Sequence, residues 1–314
     1  MDEHDGPADG RNGHGGPADR AGDDALAERF EAHRGQLRAV AYRMLGSLAE
    51  AEDAVQETWL RLGRADAREI ANLGGWLRTV LSRVCLDALR ARTARREDPA
   101  GDGLPDEAGR SGTTDGPGTP EDEAVLADAV GRALLVVLDT LAPAERVAFV
   151  LHDLFAVPFA EIAPLVDRSP VATKKLASRA RHRVRGTSAT PRPELDRQRR
   201  VVEAFLAASR RGDLDALLAV LAPDAVRRAD PAALPPGAAT VLRGARAVAE
   251  GTLVFGRRAR DAEPALVNGA PGIVVAPAGR LALVLTLAIE HDRITAYEVI
   301  ADPARMRRLD LAVA

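Results

Sequence analysis

Between Arg168 and Arg185 the chain carries Arg168, Lys174, Lys175, Arg179, Arg181, Arg183 and Arg185, and no acid. Guanidinium and ammonium groups at that density can hold phosphates, and they can donate to base edges where a helix enters a groove. Lys174 and Lys175 are the only lysines of the chain, which otherwise uses arginine. Ser169-Pro170 reads as a helix start, with a hydroxyl to accept an orphan amide and a proline where no amide is needed. Ala172, Leu176, Ala180 and Val184 recur every fourth residue and are expected to be buried. Lys174, Ser178, Arg181 and Arg185 would then point outward, flanked by Lys175, Arg179 and His182. Ahead of this helix, Phe159, Ile162, Ala163 and Val166 make a short apolar stripe. Pro164 removes one amide from it, so that helix should be short or kinked. Two short helices, a tight turn and a basic second helix describe a helix-turn-helix suited to a major groove. The competing reading is a solvated basic helix in an ordinary bundle.

Other chemistry is sparse. The helix after Ser47 exposes Glu50, Glu52, Asp53, Gln56 and Glu57, an acidic face for a basic partner or simply a wet one. His4 and His14 are isolated, and no cluster has metal-ligand spacing, so neither metal nor cofactor is expected. Asp224 and His291 are the only acid-base candidates in the C-terminal part, and both read as turn residues. No phosphate-cradling glycine loop and no nucleophile with its base appear, so no catalysis is expected.

The elements that position these groups follow from composition and periodicity. At 314 residues the chain suits two or three domains. Its net charge of −3 makes the basic helix a local feature rather than part of a basic coat. One cysteine, Cys85, rules out an internal disulfide and suits a reducing, cytoplasmic setting. No apolar run approaches the roughly eighteen residues of a membrane span, and the N-terminus is too polar for a signal peptide.

Residues 1–23 read as a disordered arm, and 24–96 as three helices. Ser47-Leu48-Ala49-Glu50 suggests a capping box for the second helix, and Trp76, Leu77, Val80, Leu81, Val84 and Leu89 form the core side of the third. Residues 97–120 read as an acidic flexible linker. Residues 121–186 form a second helical unit with helices over 121–140 and 143–155 before the helix-turn-helix. After a linker at 187–194, residues 195–314 begin helical, interrupted at Arg211-Gly212-Asp213. They then turn to strands at Thr240–Leu242, Ala265–Val267, Ile273–Ala276, Leu281–Glu290 and Arg293–Ile300, the last two joined by a His291-Asp292 turn. This order implies an α+β unit, a curled sheet with helices laid on it.

Taken in order, these parts resemble an extracytoplasmic-function sigma factor of the sigma-70 family. Ala41 to Ser47, Ala51 to Glu57, Trp76-Leu77 and Leu86 to Arg90 are similar to sigma region 2. Leu141 to Arg146, Phe159 to Ala163 and Ala177 to Arg181 are similar to region 4. Arg199 to Val226, with Arg211 to Leu214 and Leu221 to Asp224, resembles a SnoaL-like domain of the nuclear-transport-factor-2-like fold. The resemblance implies two all-α bundles plus an α+β cone, and partners in core RNA polymerase and promoter DNA. It assigns Glu52, Asp53, Gln56 and Glu57 to the polymerase. It assigns Asn72, Arg78, Arg83 and Arg90 to the −10 element, and Arg168, Thr173, Lys174, Lys175, Ser178, Arg179 and Arg181 to the −35 element. It further implies that the cone modulates activity, with a small ligand as one means. The family's signatures in that cone are absent at Asp230 to Gly237 and altered at Ala301 to Arg305, and only Leu104-Pro105 lingers of its motif after region 2. Two other readings stay open: a polymerase-independent helix-turn-helix regulator with a ligand-sensing C-terminal domain, and a SnoaL-like enzyme with a DNA-binding arm.

Overall fold

The computed structural model describes residues 17–66, 69–97, 131–188, 190–255 and 258–313, without the side chains of 17–24, 96 and 97. His4, His14, most of the 97–120 linker and the start of the helix expected from 121 lie outside them.

The first unit is three helices, α1 (Pro17–Leu45), α2 (Leu48–Arg64) and α3 (Leu73–Glu97). α1 begins inside the stretch expected to be a disordered arm. The core is Leu37, Val40, Met44, Leu62, Leu77 and Leu81 with their neighbours, and Trp76 packs half-buried against it. Half of the expected capping box is made. The Ser47 hydroxyl accepts the Glu50 amide at 3.4 Å, but the Glu50 carboxylate goes to Arg92 on α3.

The second unit comprises α4 (Arg132–Asp139), α5 (Pro143–Phe149, prolonged by one wide turn, Val150–Leu154), α6 (Phe159–Ile162) and α7 (Pro170–Arg185). α6 stops just before Ala163-Pro164, and the turn to α7 passes through Asp167 at φ 54°. Ser169 then caps α7, accepting the Ala172 amide at 3.2 Å.

The C-terminal unit has the expected cone architecture. Helices α8 (Arg192–Arg211), α9 (Leu214–Val220) and α10 (Ala245–Leu253) lie on a seven-stranded sheet ordered β2-β1-β6-β5-β4-β3-β7. The strands are β1 (Leu221–Ala229), β2 (Val241–Arg243), β3 (Ala262–Val267), β4 (Ala270–Val275), β5 (Leu283–Glu290), β6 (Arg293–Ile300) and β7 (Leu311–Val313). A four-residue helix, α11 (Pro303–Met306), precedes β7. β1 pairs parallel with β6, and the other pairings are antiparallel. Sequence reading missed β1, α10 and β7. Pro223 and Asp224 look like a turn, but they sit in a register shift of β1 between Leu221 and Val226.

The sheet is covered on both faces. Ile273, Val275 and Leu283 point into the core beneath α8 to α10, whereas Val274 and Val284 point the other way, into the core shared with the helical units. Period-two alternation thus sends neighbouring residues to different cores, which explains why Ile273-Val274-Val275 is apolar throughout. Glu263 of β3 reaches across and accepts the Ala133 amide at 2.8 Å, capping the start of α4. Arg132 lies 3.8 Å from the same carboxylate and 3.7 Å from Asp261.

The two places where the family signatures would stand also meet. Asp230 accepts the amides of Ala301 at 3.0 Å and Asp302 at 3.1 Å and pairs with Arg305, which also reaches Glu298 at 2.7 Å. Burial pushes the Asp230 carboxyl up, but the two amides and Arg305 outweigh it and hold the group below its ordinary value. A depressed carboxyl contributes stability that is complete above the ordinary Asp value of about 4 and vanishes as the pH falls through the folded value. Asp230→Asn should therefore lower the melting temperature at neutral pH, and its difference from wild type should narrow progressively in melts below about pH 4.

Cys85 is fully buried on α3, and burial pushes its thiol up to about 12. Native protein should react with a chromogenic disulfide reagent at pH 8 far more slowly than unfolded protein, whose thiol sits near its ordinary value of about 8.5.

Candidate nucleic-acid interface

α7 buries Thr173, Ala177, Ala180 and Val184, not the every-fourth set. A step of four residues overshoots a helical turn by about 40°, so a straight stripe must follow i, i+4, i+7, i+11. Ala172 and Leu176 become half-buried flanks. Thr173 is fully buried and its hydroxyl donates to the Ser169 carbonyl at 3.0 Å, which removes it from the surface assigned to the −35 element.

Lys174, Lys175 and Ser178 are exposed together, and Arg168 is exposed ahead of the helix. Ser178, Arg179, Arg181, His182, Arg183 and Arg185 line one shallow basic groove. Several of these arginines also hold the unit together. Arg179 and Arg183 bond the two oxygens of the buried Glu145 carboxylate at 3.0 and 2.6 Å. Arg181 is half-buried and pairs with Asp153 at 2.8 Å. Val171, missed in the sequence, is 68% exposed on the first turn of α7, where an isopropyl group can meet a thymine methyl. Its signal was an apolar residue out of phase with the buried stripe.

On α3, Arg83 and Arg90 are exposed and share a face, since seven residues make almost two turns. Arg78 lies half-buried and well round the helix from both, and the Asn72 side chain accepts the Gly75 amide at 3.0 Å as a cap. The four residues assigned to the −10 element are therefore not one patch. Arg90 stands 3.6 Å from Asp167, in the turn leading to α7.

On α2, Glu52 turns inward to Arg34 and Arg38 of α1, at 3.4 and 3.3 Å. Asp53 and Gln56 face outward, and Glu57 is half-exposed beside Arg61 at 2.8 Å. Leu60 completes the i, i+3, i+4, i+7 row at 46% exposure, an apolar centre in an acidic stripe that the sequence reading passed over.

The first two units are joined by Arg146 of α5, 2% exposed. Its guanidinium donates to the Arg43 carbonyl at the end of α1 at 3.3 Å and to Asp139 at 3.1 Å. Burial pulls the group below its ordinary value, while Asp139 works against that shift. Arg92 completes the junction, bonding the Leu45 carbonyl at 3.2 Å and standing 3.7 Å from Asp139.

Asp224 and His291 are both exposed, one on β1 and the other at the β5–β6 hairpin tip, and they form no acid-base pair. No group of metal-binding side chains occurs among the described residues, and no described helix is long and apolar enough to cross a membrane.

Two family models match this arrangement: sigma-70 region 2 over residues 29–95 and sigma-70 region 4 over residues 131–184. The fold and the basic helix thus define a sigma-70-type transcription initiation factor. The chain is 35% identical over 286 residues to the probable ECF RNA polymerase sigma factor SigI of Mycobacterium tuberculosis, covering 90% of this chain and 95% of that one. It is 41% identical over 259 residues to ECF sigma factor SigJ of the same organism, covering 79% and 80%. The crystal structure of SigJ matches at 34% identity with a TM-score of 0.43, over 89% of this chain and 98% of that one. The chain belongs to the extracytoplasmic-function RNA polymerase sigma factors. It is an alternative sigma factor, which binds core RNA polymerase and directs it to promoters.

Replacing Lys174 and Lys175 by Ala should weaken holoenzyme binding to promoter duplex. It should also flatten the salt dependence, by about 0.9 in log–log slope for each phosphate no longer neutralised. Thr173→Ala should instead cost about 1 kcal/mol of stability with an unchanged slope. Fluorescence anisotropy across a salt series and thermal melts separate the two outcomes.

Proposed function

We propose that this sigma factor is held closed by its own C-terminal domain and opens when it engages polymerase in the cytoplasm. The single observation that carries the reading is that α4 is packed between α1 of the first bundle on one side and β3 and β7 on the other, with α7 also lying against β7. In the closed form Arg90 of the −10 set lies beside Asp167, next to Arg168 of the −35 set. Promoter elements whose names place them about 25 base pairs apart are separated by about 85 Å of duplex at 3.4 Å per base pair. The two surfaces must part before both can be used on one promoter.

In the open form Asp53, Gln56, Glu57 and Leu60 would meet polymerase, with the leucine as apolar centre and the acids as rim. Arg83 and Arg90 would follow the single strand of the −10 element, by phosphate contacts that tolerate sequence. Arg168, Val171, Lys174, Lys175 and Ser178 would read the −35 duplex, with Arg179 kept in place by Glu145. No catalytic step is assigned to the C-terminal domain, which acts as a restraint.

Glu263→Arg removes the cap of α4 and sets like charge against Arg132, and should loosen the closed form. On a sizing column with sigma-free core polymerase, the wild-type chain should co-elute, and the variant should raise the bound fraction several-fold at limiting core. Arg132→Ala, cutting the same tie from the other side, should act in the same direction. Equal binding by all three chains would refute the restraint.

A further inference from the structure

A half-open apolar cavity of about 80 Å³ lies inside the curled sheet beneath α8 and α10, with room for a small apolar group. Phe205, Leu206, Ile273, Val275, Leu283 and Leu285 are among the apolar side chains of its wall. Nothing in polymerase binding or promoter reading uses this space.

One buried cation lines it. Arg227 of β1 is 4% exposed and lines the cavity. Its Nη2 donates to the Ala239 carbonyl, while its buried Nε has no partner among the described residues. A guanidinium taken out of water beside hydrocarbon, with a neutral carbonyl as acceptor, is costly until an anion joins it.

Tyr297 adds a second polar point. Arg227 and Tyr297 are directly paired across the parallel β1–β6 ladder, so both side chains rise from the same face. Thr252 donates its proton to the Val248 carbonyl at 2.8 Å, so at the 2.7 Å contact between Thr252 and Tyr297 it is the phenol that donates. The Tyr297 oxygen is left as an acceptor, and burial pushes its titration upward, so it stays neutral and cannot compensate Arg227. Arg258 also borders the cavity, but it bonds the Ala233 carbonyl at 2.9 Å and lies over the Phe255 ring.

We propose that this cavity is a binding site for a small apolar monocarboxylic acid, its carboxylate on Arg227 and its hydrocarbon body against the Phe205, Ile273 and Leu283 wall. The carboxylate supplies the anionic partner that Arg227, with its Nε unpartnered, lacks, and the body displaces a space with little to offer water. A hydroxyl or N–H on the ligand beside the carboxylate would find the Tyr297 oxygen. As a signal, such a ligand deepens the reading of the C-terminal domain as a restraint, and it rests on that reading for its consequence only. Binding is measured without polymerase, so the two can fail separately.

The test is calorimetric titration of the full chain with hexanoate, octanoate and benzoate, each against its matched alcohol, with thermal melts alongside. The acids should bind at least about tenfold more tightly than the alcohols and raise the melting temperature by a few degrees. Arg227→Met should lose the preference for the acid while keeping the alcohol, and should melt no lower than the wild type without ligand. Ile273→Trp, which fills the cavity and leaves the charge in place, should abolish binding of both. Equal affinity for acid and alcohol, acid binding that survives either substitution, or no acid binding by the wild type would each overturn the proposal.

Discussion

The buried guanidinium of Arg146 is what fixes the two helical units against each other. It takes the Arg43 carbonyl near the end of α1 as one anchor and Asp139 at the end of α4 as the other. Gly46 follows α1 at φ 74°, a left-handed conformation that favours glycine and turns the chain beside the guanidinium. Asp139 is itself exposed, so only the guanidinium side of this pair has left water, and it is the bond to the Arg43 carbonyl that carries the tie between the units. Arg132 and Glu263 repeat the device on the opposite side of α4, where the cation and the cap share one carboxylate. The region 4 unit is therefore tied at both ends of one short helix, by charge on each side and by apolar packing between.

One sheet serving two cores gives the C-terminal domain a short route to the DNA-reading unit. Ile273 and Val275 line the cavity, while Val274 between them belongs to the core shared with α4 and α7. A change in how β4 lies over the cavity cannot avoid moving Val274. Coupling of this kind needs two discrete packings rather than a wire, and the interface of β3 and β7 with α4 and α7 is the element that can have two.

Much of the architecture was legible in the residues, because it rests on local rules. Ser169-Pro170 starts α7, Pro164 cuts α6 short, and His291-Asp292 turns β5 into β6, each for the reason read from the sequence. What was missed depends on neighbours far along the chain. Thr173 was assigned to the −35 surface by the resemblance, and the strict four-residue count drifts too far from the true stripe to have shown it buried. Glu145 and Arg146 read as motif letters, and only the fold shows one carboxylate gathering Arg179 and Arg183 and the next residue joining two units. β1 was hidden by Pro223 and Asp224 in its bulge, and with it went Arg227, an unremarkable arginine until its partner across the ladder is known to be Tyr297. At the acidic face, Glu52 was indistinguishable from Asp53 until α1 placed Arg34 and Arg38 beside it.

The parallel pairing of β1 with β6 has a consequence in time. Leu221 meets Ile294, so the cone cannot close its sheet until the whole span between them exists. The helical units rest mainly on near-neighbour contacts and form fast, whereas distant strand pairing is slow. A ribosome adds about 5–20 residues per second, so roughly 100 residues of cone occupy about 5–20 s after α7 has emerged. For that interval each new molecule carries its helical units without the domain proposed to restrain them. On that proposal, a cell making this chain in a burst holds a transient population of unrestrained molecules, sized by its rate of synthesis rather than by any signal.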